Sequence, residues 1–124
     1  MWMQIAMLGL VALLAAGPGM ALAAVPPPVA SLAEVGRAAV LAVLAGVCGG
    51  VPVFGAQVDV AGRSYAFYTD NVRWVLADRA EGDETDVWAG AVGPEGQLRV
   101  VEHVTHGQWT RRYPQGCSYF MQGA

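Results

Sequence analysis

A chain of 124 residues holds one domain with a core of modest size, and this one carries a net charge of −3. That balance argues against a nucleic-acid binder, which needs a basic excess to neutralise phosphates. All seven basic residues are arginine, which excludes a phosphate-loop lysine, a Schiff base and a Ser-Lys dyad.

Hydrophobic residues make up 55% of the chain and charged ones 14%, and no charged side chain precedes Glu34. Residues 1–23 contain an apolar run from Ile5 to Ala16, a Gly-Pro-Gly break, and then Ala21-Leu22-Ala23. Small residues at the two positions that a signal peptidase reads make this a secretory signal pattern, with cleavage before Ala24. Its n-region, Met-Trp-Met-Gln, lacks Lys and Arg, so a retained N-terminal anchor is the alternative. Residues 24–30 form a Pro-rich linker, since Pro26-Pro27-Pro28 has no amide donors and favours an extended chain.

The stretch 31–48 opens with Ser31-Leu32-Ala33-Glu34, a capping box whose side chains satisfy the first free amides of a helix. Leu32, Val40, Val43, Leu44 and Val47 recur on one side at 3.6-residue spacing, which predicts a sided helix packed on a sheet. The competing reading is a membrane span over about 38–56, because no charged residue occurs from Ala38 to Val58. Gly46, Gly49, Gly50 and Pro52 interrupt that run and favour the core helix. Leu44-Ala45-Gly46-Val47-Cys48 is a poor lipoprotein box, because Val47 is not small.

From Val51 the apolar period becomes two. Phe54, Ala56, Val58 and Val60 alternate with small and polar residues, Ala61-Gly62 turns, and 63–69 alternates again. Asp70-Asn71 is a turn pair, and Val72, Trp74 and Leu76 continue the meander. Strands are further expected over 87–92, 97–104 and 108–113, with a short tail strand over 117–121. The expected fold is therefore α+β, with one N-terminal helix packed on a curled antiparallel sheet of about five to six strands, spanning 31–124.

Cys48 and Cys117 are the only cysteines, and in an exported chain they are expected to form a disulfide joining the helix end to the last strand. Glu102, His103 and His106 could supply three metal ligands if the chain turns near Val104, although two histidines three apart on a strand face opposite sides. Four carboxylates within 81–86 suit a hard cation such as calcium, yet lack the alternating pattern of the twelve-residue calcium loop. Trp109-Thr110-Arg111-Arg112-Tyr113 is the densest group of aromatic and cationic side chains. On a strand it would project Trp109, Arg111 and Tyr113 together, with Arg112 opposite. No Gly-x-Ser-x-Gly, His-Glu-x-x-His or Cys-x-x-Cys motif is present.

These features point to a small periplasmic or secreted binding domain of the cell envelope, without catalysis or cofactor. Its binding residues would be Trp109, Arg111, Arg112 and Tyr113, and its partner another envelope protein or an anionic or glycan ligand. A metal-dependent secreted enzyme using Glu102, His103 and His106 is the second reading. A membrane protein with hydrophobic segments at about 4–23 and 38–56 is the third. The export signal itself is testable by intact mass: the exported protein is expected to begin at Ala24, and a mass retaining residues 1–23 would refute cleavage.

Overall fold

The computed structural model describes residues 25–122. The expected signal segment and its cleavage point lie outside them. Six strands form one antiparallel meander in chain order: β1 (Ala39–Cys48), β2 (Val51–Val60), β3 (Arg63–Thr69), β4 (Arg73–Asp78), β5 (Asp86–Val92) and β6 (Leu98–Thr105). Two seven-residue helices flank the sheet, α1 (Leu32–Ala38) before it and α2 (His106–Arg112) after it.

The antiparallel sheet expected from the alternation is present, but its strands are not the expected set. The long helix over 31–48 stops at Ala38, and its second half is β1. The Ser31 half of the cap forms as read, Ser31 Oγ accepting from Glu34 N at 3.1 Å, while Glu34 Oε1 reaches one residue past the N-cap and accepts from Ala30 N at 2.6 Å. Beyond Ala38 the run is rich in β-branched valine, and Gly49-Gly50 gives it somewhere to turn. Both glycines have positive φ, 59° and 85°, which is what a two-residue hairpin loop requires, and Cys48 pairs directly with Val51. The segment 38–56 is thus mostly a β-hairpin. Among the described residues no helix is long and apolar enough to cross a membrane.

The apolar stripe that predicted the helix is divided between two elements. Leu32 packs against the core, while Val40 and Val47 are 57% and 67% exposed on β1. β1 is an edge strand without a charge, and it carries two register shifts against β2. Each places one extra residue on β1, and bulges of this kind twist an apolar edge away from pairing with other chains.

The opposite correction occurs at the other end. The expected strand 108–113 is α2, because Thr105 and Gln108 form a complete capping box. Thr105 Oγ1 accepts from Gln108 N at 3.2 Å, and Gln108 Oε1 accepts from Thr105 N at 3.0 Å. The expected tail strand is a series of turns, with Phe120 N and Met121 N both donating to Cys117 O.

The central strands β4 and β5 are buried on both faces. On one face Val58, Tyr65, Phe67, Trp74, Leu76 and Trp88 form the larger core with Val29 and Val35 from the N-terminal segment. The proline stretch therefore lies on the sheet: Trp88 Nε1 donates to Val25 O at 3.1 Å, and Val29 is only 2% exposed. Residues 30–32 then bond to the start of β6 through Leu98 N to Ala30 O and Leu32 N to Gly96 O, with Ser31 bridging Gln97.

From that contact on the β6 edge, α1 leads directly into β1 on the opposite edge. A flat six-stranded sheet would separate its edges by roughly 24 Å at about 4.8 Å per strand. A seven-residue helix spans only about 10 Å. The sheet must therefore curl until α1 can bridge its two edges.

On the other face, Val75, Val87, Ala89 and Tyr119 form the second core beneath α2 and the C-terminal turns. Cys48 and Cys117 are bridged, their Cα atoms 5.3 Å apart and 69 residues apart in sequence. The bridge joins the end of β1 to the C-terminal turns, in place of the expected helix-to-strand link. Closing a loop of that size contributes about 4 kcal/mol in the chain-entropy model.

Ser31→Ala is expected to lower stability by about 1 kcal/mol, since one cap bond is lost while nothing buried changes. Denaturant melts check this, and an unchanged midpoint would show that α1 does not depend on its cap.

Candidate functional site

The second face carries a groove of about 570 Å³, partly open to solvent. Its floor is the flat of the sheet, formed by Val53 of β2, Ala66 and Tyr68 of β3, and Val75 and Ala77 of β4. These residues occupy one face because they alternate with the core residues of the other: Tyr68 follows Phe67, and Val75 lies between Trp74 and Leu76. One wall is α2 with the turns after it, contributing His106, Trp109, Thr110, Tyr113 and Phe120. The other is the tip of the β1–β2 hairpin at Gly46, Val47 and Cys48. The disulfide joins the two walls.

Helical spacing redistributes the expected binding residues. Trp109 of α2 and Tyr113 at its C-cap lie four apart on one side, their ring centroids 4.5 Å apart, and both line the groove. Arg111 and Arg112 are exposed and line neither wall. Arg112 pairs with Glu102, whose other oxygen accepts from Tyr113 Oη at 3.2 Å. Glu102 thus anchors the end of α2 to β6. The joint projection of Trp109, Arg111 and Tyr113 expected of a strand is not formed.

The candidate metal ligands diverge. His103 is buried on the larger-core face, stacked on Trp88 at 4.7 Å with an interplanar angle of 5°, and its Nε2 lies 2.9 Å from Asp86 Oδ1. Glu102 faces the opposite side of β6, and His106 is the first residue of α2, in the groove. The physical reason is alternation along β6, which continues as a strand through Thr105. The acidic loop serves as a seat for α2: His106 N donates to Thr85 O at 2.7 Å and Gly107 N to Asp83 O at 3.0 Å. Among the described residues no group of three His, Cys, Asp or Glu side chains could hold a metal ion.

Behind the groove wall, Tyr119 organises an aromatic cluster with Trp109, Tyr113 and Phe120 at centroid distances of 5.1, 5.4 and 5.8 Å. Arg73 holds it from β4, its Nη1 donating to Tyr119 O at 3.0 Å and its guanidinium 5.9 Å from the ring centroid. Tyr119 Oη donates to Gly90 O at 3.3 Å. Gly90 itself must lack a side chain, because a Cβ there would lie 1.7 Å from Arg99 O on the neighbouring strand. On the larger-core face, Asp78 accepts two bonds from Arg63 at 3.1 and 2.7 Å. Burial pushes its carboxyl up, but the Ala80 amide and the Arg63 guanidinium outweigh that and hold it below the usual value.

Tyr68 and Phe120 were not expected at a site, while Glu81 and His106 were expected only in other constellations, the acidic cation loop and the metal triad. Tyr68 left a trace in the sequence, as an aromatic on the polar phase of its strand. The others join the groove only through the packing of α2 and the C-terminal turns. An antiparallel sheet covered on both faces, with an aromatic-walled groove on one of them, defines the class of protein as a small disulfide-linked α+β domain. The chain matches no protein-family model, no curated protein and no solved structure.

Burial, followed by the Glu102 charge, raises the Tyr119 phenol to about 12. A raised acid contributes stability that is complete below its unfolded value near 10 and is lost as pH climbs towards 12. The melting temperature is expected to fall across that interval, and Tyr119→Phe should flatten the fall. An equally steep fall in the variant would show that another group governs alkaline unfolding.

Proposed function

We propose that this protein is a small exported domain of the cell envelope, periplasmic or secreted, that binds a ligand in the groove between the sheet and α2 and carries out no chemistry there. The observation that carries this reading is the groove itself. Its volume of about 570 Å³ falls within the 300–1,000 Å³ or so typical of small-molecule sites. Trp109 and Tyr113, two of the residue types that dominate recognition surfaces, stand in its wall. The disulfide supports an oxidising compartment, where such bonds persist. The divergence of Glu102, His103 and His106 takes away the constellation on which a metal-dependent enzyme would rest.

A neutral naphthalene dye that brightens in apolar surroundings tests the groove as an accessible site. The native protein is expected to enhance its emission. Ala66→Trp, which places a large ring on the groove floor, should abolish the enhancement while leaving a cooperative melt. No enhancement with the native protein would refute the groove as a binding site, and enhancement undiminished in a folded Ala66→Trp protein would move the site elsewhere.

A further inference from the structure

We infer that the groove takes a neutral oligosaccharide, a ligand class that rests on the groove being the binding site. Three features of the lining carry the inference. First, the walls and floor present aromatic rings from separate elements: Tyr68 on β3, Trp109 and Tyr113 on α2 and after it, and Phe120 in the C-terminal turns. The C–H faces of pyranose rings stack on such surfaces.

Second, the same lining holds polar groups that make no side-chain hydrogen bond among the described residues: the Tyr68 hydroxyl, the Trp109 indole N–H, the His106 imidazole and the Glu81 carboxylate. Together they offer donors and an acceptor, which sugar hydroxyls can meet because each both donates and accepts. A lipid chain would strip these groups of water and return nothing.

Third, none of the seven arginines lines the groove, and its one carboxylate, Glu81, repels anions. That selects the glycan over the anion within the ligand chemistry expected from the sequence. An extended peptide fits less well. It would dock by pairing with a strand edge, whereas the groove floor is the flat of three paired strands.

The test uses cellotriose, maltotriose and the trimer of N-acetylglucosamine against the purified full chain. Amide and indole chemical shifts are the readout, at sugar concentrations up to about 10 mM, roughly ten times the Kd of a weak millimolar complex. At least one trisaccharide is expected to shift the Trp109 indole and the Tyr68 amide in a saturable way. Tyr68→Phe, which keeps the ring and removes the hydroxyl, should weaken binding by roughly two- to tenfold with an unchanged melting temperature. Trp109→Ala should weaken it tenfold or more, and Tyr68→Phe carries the argument if loss of Trp109 disturbs the aromatic cluster. Arg111→Ala should change nothing.

Absence of saturable shifts with all three sugars overturns the inference. So does tighter binding of an acidic trimer such as tri-galacturonate, or saturable shifts confined to residues outside the groove. Dye enhancement without sugar binding would overturn the ligand class alone, whereas absence of enhancement would overturn the binding groove as well.

Discussion

The structure depends on a sheet whose two central strands bury side chains on both faces. Trp74, Leu76 and Trp88 point one way while Val75, Val87 and Ala89 point the other. A half-buried meander needs one cover, but this one needs two, and about a hundred residues leave little chain to build them. The N-terminal segment with α1 covers the larger core, and α2 with the C-terminal turns covers the smaller. Neither cover can hold itself as an isolated unit, since a seven-residue helix is far below the length that is stable alone in water. Each is pinned instead: the first by backbone bonds to β6 and by the Trp88 indole, the second by Arg73, Glu102 and the disulfide.

The two covers differ in how closely they fit. Over the larger core the chain lies directly on the sheet, so that Val29 and Val35 join the core cluster. Over the smaller core the wall stands off from β2 and β3, because α2 is anchored at its start to the acidic loop and at its end to Glu102. The gap left between that wall and the β1–β2 hairpin is the groove. The groove follows from the way a short helix is tethered over a wide sheet. The disulfide fixes the gap, because it is the covalent tie between the two walls.

Much of the local structure was legible in the residues. Alternation placed β2 and β3 and the apolar phase of β4, and the spacing of turns placed β5 and β6. The Ser31 cap, the Ala61-Gly62 turn and the Cys48–Cys117 pairing could all be read from short-range chemistry. Two elements were misread for one reason. Residues 39–48 are apolar in a pattern that fits a helix period, and 108–113 alternates in a pattern that fits a strand. A run of that length does not separate the two periods. The discriminating signals were beside the runs: Gly49-Gly50 as a hairpin loop and Thr105–Gln108 as a capping box.

The sequence by itself determined the elements whose causes lie within a few residues: caps, tight turns, alternating strands, the absence of lysine chemistry and the paired cysteines. Tertiary structure decided what depends on distant partners. β1 is a strand because β2 satisfies its backbone, and Arg111 stands outside the groove because α2 is helical and turns it away from Trp109. His103 and His106 part company because β6 runs straight through Thr105, putting one against Trp88 and the other into the groove. The groove brings residues from Gly46 to Phe120 together, and no local pattern records that meeting, because side chains so far apart in the chain become neighbours only when both faces of the sheet have been covered.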